Sequence, residues 1–136
     1  MSTHLSIVSV VEAWNEAMPL ARTLGIEWLA SGKDEVRARL AYRDELTTAG
    51  GILHGGVVMA LADSAGAICA YLNLPDGTTT VTIESKTNFL RAVRDGHAEA
   101  VARPVHVGRT IILVQTDVLD AEGRLAARVT QTQAVL

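Results

Sequence analysis

The sequence is poor in the residues that cross-link, metallate or positively charge many small proteins. Among 136 residues there is one cysteine, Cys69, so no intrachain disulfide can form. A thiol inside an apolar run reads as packing rather than as a reactive group, and a reducing cytoplasm is the compartment it suggests. Positive charge is short as well: 12 Lys and Arg stand against 15 Asp and Glu, a formal net charge of −3. A general nucleic-acid binder is normally basic, so the balance argues against that class. The four histidines, His4, His54, His97 and His106, have no metal-ligand spacing, and no metal site is expected. No glycine-rich nucleotide loop stands in a strand–helix context, so neither ATP nor a dinucleotide is expected. A basic region followed by an apolar core and a cleavage site is missing, so no signal peptide is expected.

What is present is apolar. With 49% hydrophobic residues, the chain suits one compact domain over 1–136, with residues 1–22 as an N-terminal helical segment broken near Pro19. One stretch dominates. After the Gly50-Gly51 turn, His54-Gly55-Gly56 opens a run to Leu72 that is too long for a strand and rich in Ala, Leu and Met. It predicts a helix from about His54 to Asn73, apolar nearly all round and therefore wrapped by the rest of the fold. Asp63 is its one charged residue, which rules against a membrane span and needs a partner or a cavity. Positions three, four and seven from Asp63 are Gly56, Met59, Ala60, Gly66, Ala67 and Ala70, mostly small, so something fits beside the acid.

Around that helix the pattern is β. Leu24–Ala30 and Glu35–Tyr42 read as two strands joined by Ser31-Gly32-Lys33-Asp34. Thr78–Leu90, Gly96–Val107, Thr110–Asp120 and Arg124–Val135 read as four more after the Pro75-Asp76-Gly77 turn. Short turns between consecutive strands imply an antiparallel meander. The expected class is α+β: a six-stranded antiparallel sheet curled round one long central helix.

That arrangement resembles the hotdog fold. His54-Gly55-Gly56 with Asp63 nine residues after the histidine is similar to acyl-CoA thioesterases of the phenylacetate-pathway and 4-hydroxybenzoyl-CoA type. Asn88-Phe89-Leu90-Arg91, Val107-Gly108-Arg109 and Asp120-x-x-Gly-Arg-Leu-x-Ala carry the same resemblance, over roughly residues 24–135. It implies hydrolysis of an acyl- or aryl-CoA thioester to a free acid and coenzyme A, with no cofactor beyond the coenzyme A of the substrate. It also implies a homodimer with shared sites that pairs again into a tetramer, and no membrane partner. Asp63 would be general base or nucleophile. The N–H groups of Gly55 and Gly56, at a helix N-terminus, would face the developing oxyanion. Thr82 matches a position where relatives place a hydroxyl near the catalytic water; its plain reading is a β-branched strand residue. Thr48 falls where relatives carry Asn or Gln, a departure from the pattern. His54 reads as a residue that fixes the loop through backbone hydrogen bonds.

Spacing adds a constraint of its own. Gly55 and Asp63 are eight residues apart, so on one helix ~12 Å separates them. One carbonyl cannot touch both at hydrogen-bond range, so one of the two must come from a second copy. The window 86–109 is locally basic, and Arg91, Arg94 and Arg109 are its candidates for the coenzyme A phosphates. Two other readings compete: a non-catalytic acyl-CoA-binding hotdog protein, which the change at Thr48 allows, and an acyl-thioester hydratase or dehydratase, whose usual motif order is missing.

Overall fold

A computed structural model describes residues 13–136. Of the expected N-terminal helix, residues 5–12 lie outside the described residues, while 13–17 are helical and α1 (Pro19–Leu24) follows, with proline in its first turn. Gly25, at φ 74° in the left-handed region, ends α1. Then come β1 (Glu27–Ser31), β2 (Val36–Ala41), α2 (Gly55–Leu72), β3 (Thr80–Phe89), β4 (His97–Val107), β5 (Ile111–Asp120) and β6 (Leu125–Val135).

All six strands form one antiparallel sheet, but not a meander. Its order is β1-β2-β4-β5-β6-β3. The expectation of sequential pairing fails at β3, which joins the far edge beside β6, while β4 lies next to β2. The cause is the helix. After β2 the chain crosses the sheet's face along α2 and arrives at the opposite edge, so β3 is laid down there. Residues 90–96 then lead back to the open flank of β2.

Every strand but β3 buries one face. In β2, Val36, Ala38 and Leu40 are fully covered, and Ile112, Val114, Thr116 and Val118 do the same in β5. Ala98, Ala100 and Ala102 of β4 are small and completely buried, which lets the helix lie close to the sheet. From α2, Leu61, Ala62, Ala65, Ile68 and Cys69 fill that contact. Burial pushes the Cys69 thiol up to about 11, so at neutral pH it stays protonated and inert. By length and composition α2 is apolar enough to cross a bilayer, but it is the core helix of this sheet.

The outer face is charged and self-paired. Glu99 of β4 accepts from Arg37 (3.1 Å) and Arg39 (3.3 Å) of β2, and Arg103 reaches Glu35 at 2.6 Å. Asp117 and Arg128 face each other across β5 and β6 at 2.8 Å. Arg103 is therefore occupied, as an outward strand residue normally is.

If α2 is the wrapped core element, Leu61→Ala should cost about 3 kcal/mol of unfolding free energy, the usual toll of a cavity at a sealed site. Chemical denaturation of the two proteins checks this. A loss under about 1 kcal/mol would mean that the helix is not enclosed in solution.

Candidate active site

The loop before α2 is built to present the helix's first turn. Gly50 and Gly51 have φ of 84° and 70°, a left-handed pair that L side chains resist. Thr48 N–H donates to Ile52 O and Gly51 N–H returns to Thr48 O, closing the turn. Tyr42 Oη–H, just past the end of β2, holds it by donating to Gly51 O at 2.7 Å. His54 then caps the helix: its Nδ1 accepts the Gly56 N–H at 2.8 Å, and its own N–H donates to Leu46 O. His54 thus fixes the loop, as its position suggests.

This capping corrects one expectation. The Gly56 N–H is taken by the His54 ring and is not free for an oxyanion. Gly55, the first helical residue, has an N–H with no acceptor among the described residues. It remains the one donor of the pair. Beside it lies an apolar cavity of about 370 Å³ lined by Thr48, Ile52, Leu53, Gly55, Val58, Phe89 and neighbours. The Phe89 ring covers Gly55 so closely that a Cβ there would stand 3.2 Å from it.

Asp63, two turns along α2, sits in different surroundings. Its Oδ1 accepts from Gln131 Nε2 of β6 at 2.9 Å, while Oδ2 has no partner among the described residues. Ser64 does not help, because its hydroxyl donates back to Ala60 O. Gln131 Nε2 also reaches Thr82 Oγ1 at 3.3 Å, and Gln133 Nε2 donates to the same oxygen at 2.8 Å. With both lone pairs engaged, the Thr82 hydroxyl is left to donate its proton elsewhere. Burial raises the Asp63 carboxyl above its ordinary value, and the Gln131 hydrogen bond opposes the rise without cancelling it.

The predicted residues therefore fall into two groups. Thr48, His54 and Gly55 stand at the N-terminus of α2; Asp63 and Thr82 stand farther along, joined through Gln131. The arginines divide as well. Arg91 and Arg94 line a polar cavity of about 360 Å³ with Asp95, Asp120, Glu122 and Arg124, and Arg91 borders the apolar cavity too. Arg124 is committed there to Asp120 at 2.9 Å. Arg109 is in the β4–β5 turn, at the other end of an eleven-residue strand, so ~35 Å of chain separates it from Arg94. Within one chain it does not join the other two. Among the described residues, no cluster of three His, Cys, Asp or Glu is placed to hold a metal ion.

Gln131 and Gln133 were not anticipated. The signal was there: both are in phase with Val129, on the strand face that a period of two assigns to the core. The small residue Gly66 also has a different use from the one expected. The room beside it is filled by the Gln131 side-chain amide.

The helix wrapped by the antiparallel sheet thus has an uncommitted N–H at its start, a donor of the kind that can polarise a carbonyl, and a partly desolvated acid at its middle, a group of the kind that can act as base or nucleophile. Comparison with known proteins agrees. The sequence model of the thioesterase superfamily matches residues 50–127. A crystal structure of a thioesterase from Haemophilus influenzae superposes with TM-score 0.88 at 30% identity, covering 98% of this chain and 92% of that one. The 1,4-dihydroxy-2-naphthoyl-CoA hydrolase of Escherichia coli is 30% identical over 113 residues, 83% of each chain. The proofreading thioesterase EntH of Cronobacter turicensis is 33% identical over 105 residues, 77% of each. The chain belongs to the thioesterase superfamily and has its hotdog fold. It is an enzyme, a thioester hydrolase.

The Asp63 environment fixes the sign of two pH effects. The folded state holds the Asp63 proton more tightly than the unfolded chain, so the stabilisation from protonation is complete below the unfolded value and is lost as pH rises through the higher folded one. Asp63→Asn should therefore melt at or above the wild-type temperature at neutral pH, and acidification should close that gap. Turnover should fall on the acid side with a midpoint above the ordinary carboxylate value of 3.8. Thermal melts and rate profiles across the acid range test both signs; a gap that ignores pH would contradict this placement of Asp63.

Proposed function

We propose that the protein hydrolyses acyl-CoA thioesters in a site assembled from two copies of the chain. The Gly55 N–H of one subunit polarises the thioester carbonyl, and Asp63 of the other supplies the carboxylate. Asp63 either takes a proton from the attacking water or attacks the carbonyl itself. In both cases the C–S bond breaks, the thiol of coenzyme A leaves and the acid is released. No metal or redox group takes part, and thiol release is expected to persist in the presence of a chelator.

The observation that carries this reading is the separation of the two groups along one rigid helix, ~12 Å by its rise per residue. Strand β3 suggests how a second copy closes the gap. It is an edge strand with a free side, exposed along most of its length, and bears Val81, Ile83 and Phe89. Antiparallel pairing of two such edges about Ser85 sets Glu84 against Lys86 of the partner subunit, an opposite-charge pair. With the bulge between Thr82 and Glu84 counted, the same register brings Thr82 to Thr87 of the partner subunit, so the Asp63 end of one copy meets the Gly55 end of the other. A second pairing into a homotetramer and residence in the cytoplasm complete the proposal.

The apolar cavity at Thr48, Leu53, Val58 and Phe89 is the natural seat for the acyl or aryl group, of the size usual for small-ligand sites. Arg91 and Arg94, which line the adjoining polar cavity, would meet the coenzyme A phosphates. One relative's name specifies an aryl-CoA, and the only phenylalanine of this chain lines the cavity. A panel spanning alkyl and aryl esters is therefore the substrate test.

Two variants make the shared site measurable. Gly55→Pro removes the N–H at a first-turn position where proline is tolerated, and His54, at φ −58° and ψ 134°, already has the conformation that precedes proline. It should lower kcat on the order of 10²-fold, while Asp63→Ala should lower it on the order of 10³-fold. Refolding the two inactive chains together should restore about a quarter of wild-type thiol release, from the one intact site of each heterodimer. No recovery on mixing would refute the shared site. Binding without thiol release by the wild type would favour the non-catalytic reading that Thr48 allows.

A further inference from the structure

Gln131 is fully buried on the inner face of β6, where an aliphatic side chain would cost less. Its amide spans one turn of α2, from Asp63 to Gly66. The two hydrogens of Nε2 are divided between Asp63 Oδ1 on the helix and Thr82 Oγ1 on β3. Its Oε1 occupies the place of the missing side chain at Gly66 and has no hydrogen-bond partner. Thr116 Oγ1, also buried and unpartnered, is 3.4 Å from the same point. The neighbouring amide is satisfied at both ends: Gln133 donates to Thr82 at 2.8 Å and accepts from the Thr80 hydroxyl at 3.0 Å. Gln131 thus leaves its oxygen unsatisfied so that its nitrogen can reach Asp63.

We infer that Gln131 is a positioning residue for Asp63, seated by Gly66 and locked through Thr82 to Gln133. The inference rests on Asp63 being the working carboxylate of the thioesterase reading. By holding Oδ1, the amide fixes the plane of the carboxylate and leaves Oδ2 as the oxygen that meets water or substrate. By sharing one nitrogen between Asp63 and Thr82, it ties the spacing of these two groups to the sheet, so a shift of the helix turn moves both together. Gly66 is part of the device because any side chain there displaces the amide.

The hydrogen bond also tunes the acid, with little else nearby to do so. No other residue of α2 is charged. The inner faces of β3, β5 and β6 near Asp63 present Thr82, Ser85, Thr116, Gln131 and Gln133. Of the charged groups of those strands, Glu84, Lys86, Asp117 and Arg128 alternate to the outer face, and Asp120, four residues beyond Thr116 at the end of β5, is paired with Arg124. Burial and the Gln131 donor are the two influences on this carboxyl.

The test uses Gln131→Met, which keeps the volume and removes the donor, and Gly66→Ala, which keeps the donor and takes its seat. Each is compared with wild type for kcat and KM across pH. Separately, the Asp63 carboxyl is titrated by NMR in the unliganded protein. Gln131→Met should lower kcat on the order of ten-fold with KM nearly constant. It should move the Asp63 midpoint to higher pH, because a donor to the charged form is gone. Gly66→Ala should move both in the same directions, and the double variant should lose little more than either single one. Gln131→Glu, which sets a second acid beside the first, should raise the midpoint further. An unmoved midpoint with unchanged kcat in a folded Gln131→Met protein would overturn the role. Because the titration needs no substrate, a wild type that hydrolyses no ester would refute the thioesterase reading while a shifted midpoint still upheld the Gln131–Asp63 coupling.

Discussion

A carboxylate can ride on a wrapped helix only where the wrapping stops short of it or supplies hydrogen-bond donors. Both happen at Asp63. The sheet covers α2 with β2, β4 and β5, whose inner faces against the helix are aliphatic save for Thr116 of β5, but toward β6 and β3 the lining changes to Gln131, Gln133, Thr80 and Thr82. The helix therefore lies on a surface that grades from oil to amide and hydroxyl. Asp63 stands where that gradient meets the uncovered edge. Moved one position along the helix, the acid would swing by ~100° and face aliphatic side chains instead.

The other end of the site follows from the arithmetic of helix starts. The first N–H groups of a helix have no partner within it, and each must be capped, solvated or used. Here the His54 ring consumes one and thereby orders the turn. The next one back, on Gly55, stays uncommitted because a glycine at that point admits the Phe89 ring on one side and leaves open space on the other. Rigidity and a free donor come from adjacent residues of the same motif. The two duties cannot be exchanged: if the His54 ring turned away, the donor would gain a neighbour but lose the loop that aims it.

How legible this was in the sequence depends on range. The central helix was expected from His54 to Asn73 and spans Gly55–Leu72, because composition and caps are local signals. The last four strands differ from expectation by a residue or two at their ends, since alternation and glycine turns mark them. Pairing order was not legible. Whether β3 lies beside β4 or beside β6 depends on where the helix delivers the chain, which no local pattern encodes. The site shows the same division. His54, Gly55 and Asp63 are tied by one helix's geometry and were found together. Gln131 lies 68 residues from its partner, and a glutamine in a strand reads as solvent-facing until its phase with Val129 is noticed. Arg109 looked like a companion of Arg91 and Arg94 because they are close in sequence, yet a strand's length divides them.

The sheet order also governs how the chain comes together during synthesis. Strand β3 is made early, but its one neighbour in the sheet, β6, is the last strand to be made. Between those events β4 and β5 can assemble on β2 while β3 waits with both of its sides bare. At translation rates of about 5–20 residues per second, the 35 residues between the end of β3 and the start of β6 keep it unpaired for seconds. The final strand then acts as a clasp: it covers one side of β3 and brings Gln131 to Asp63 in the same event. A nascent chain is thus ordered along one flank well before Asp63 has its hydrogen-bond donor, and any interruption short of β6 yields a protein with a helix, a partial sheet and no held acid.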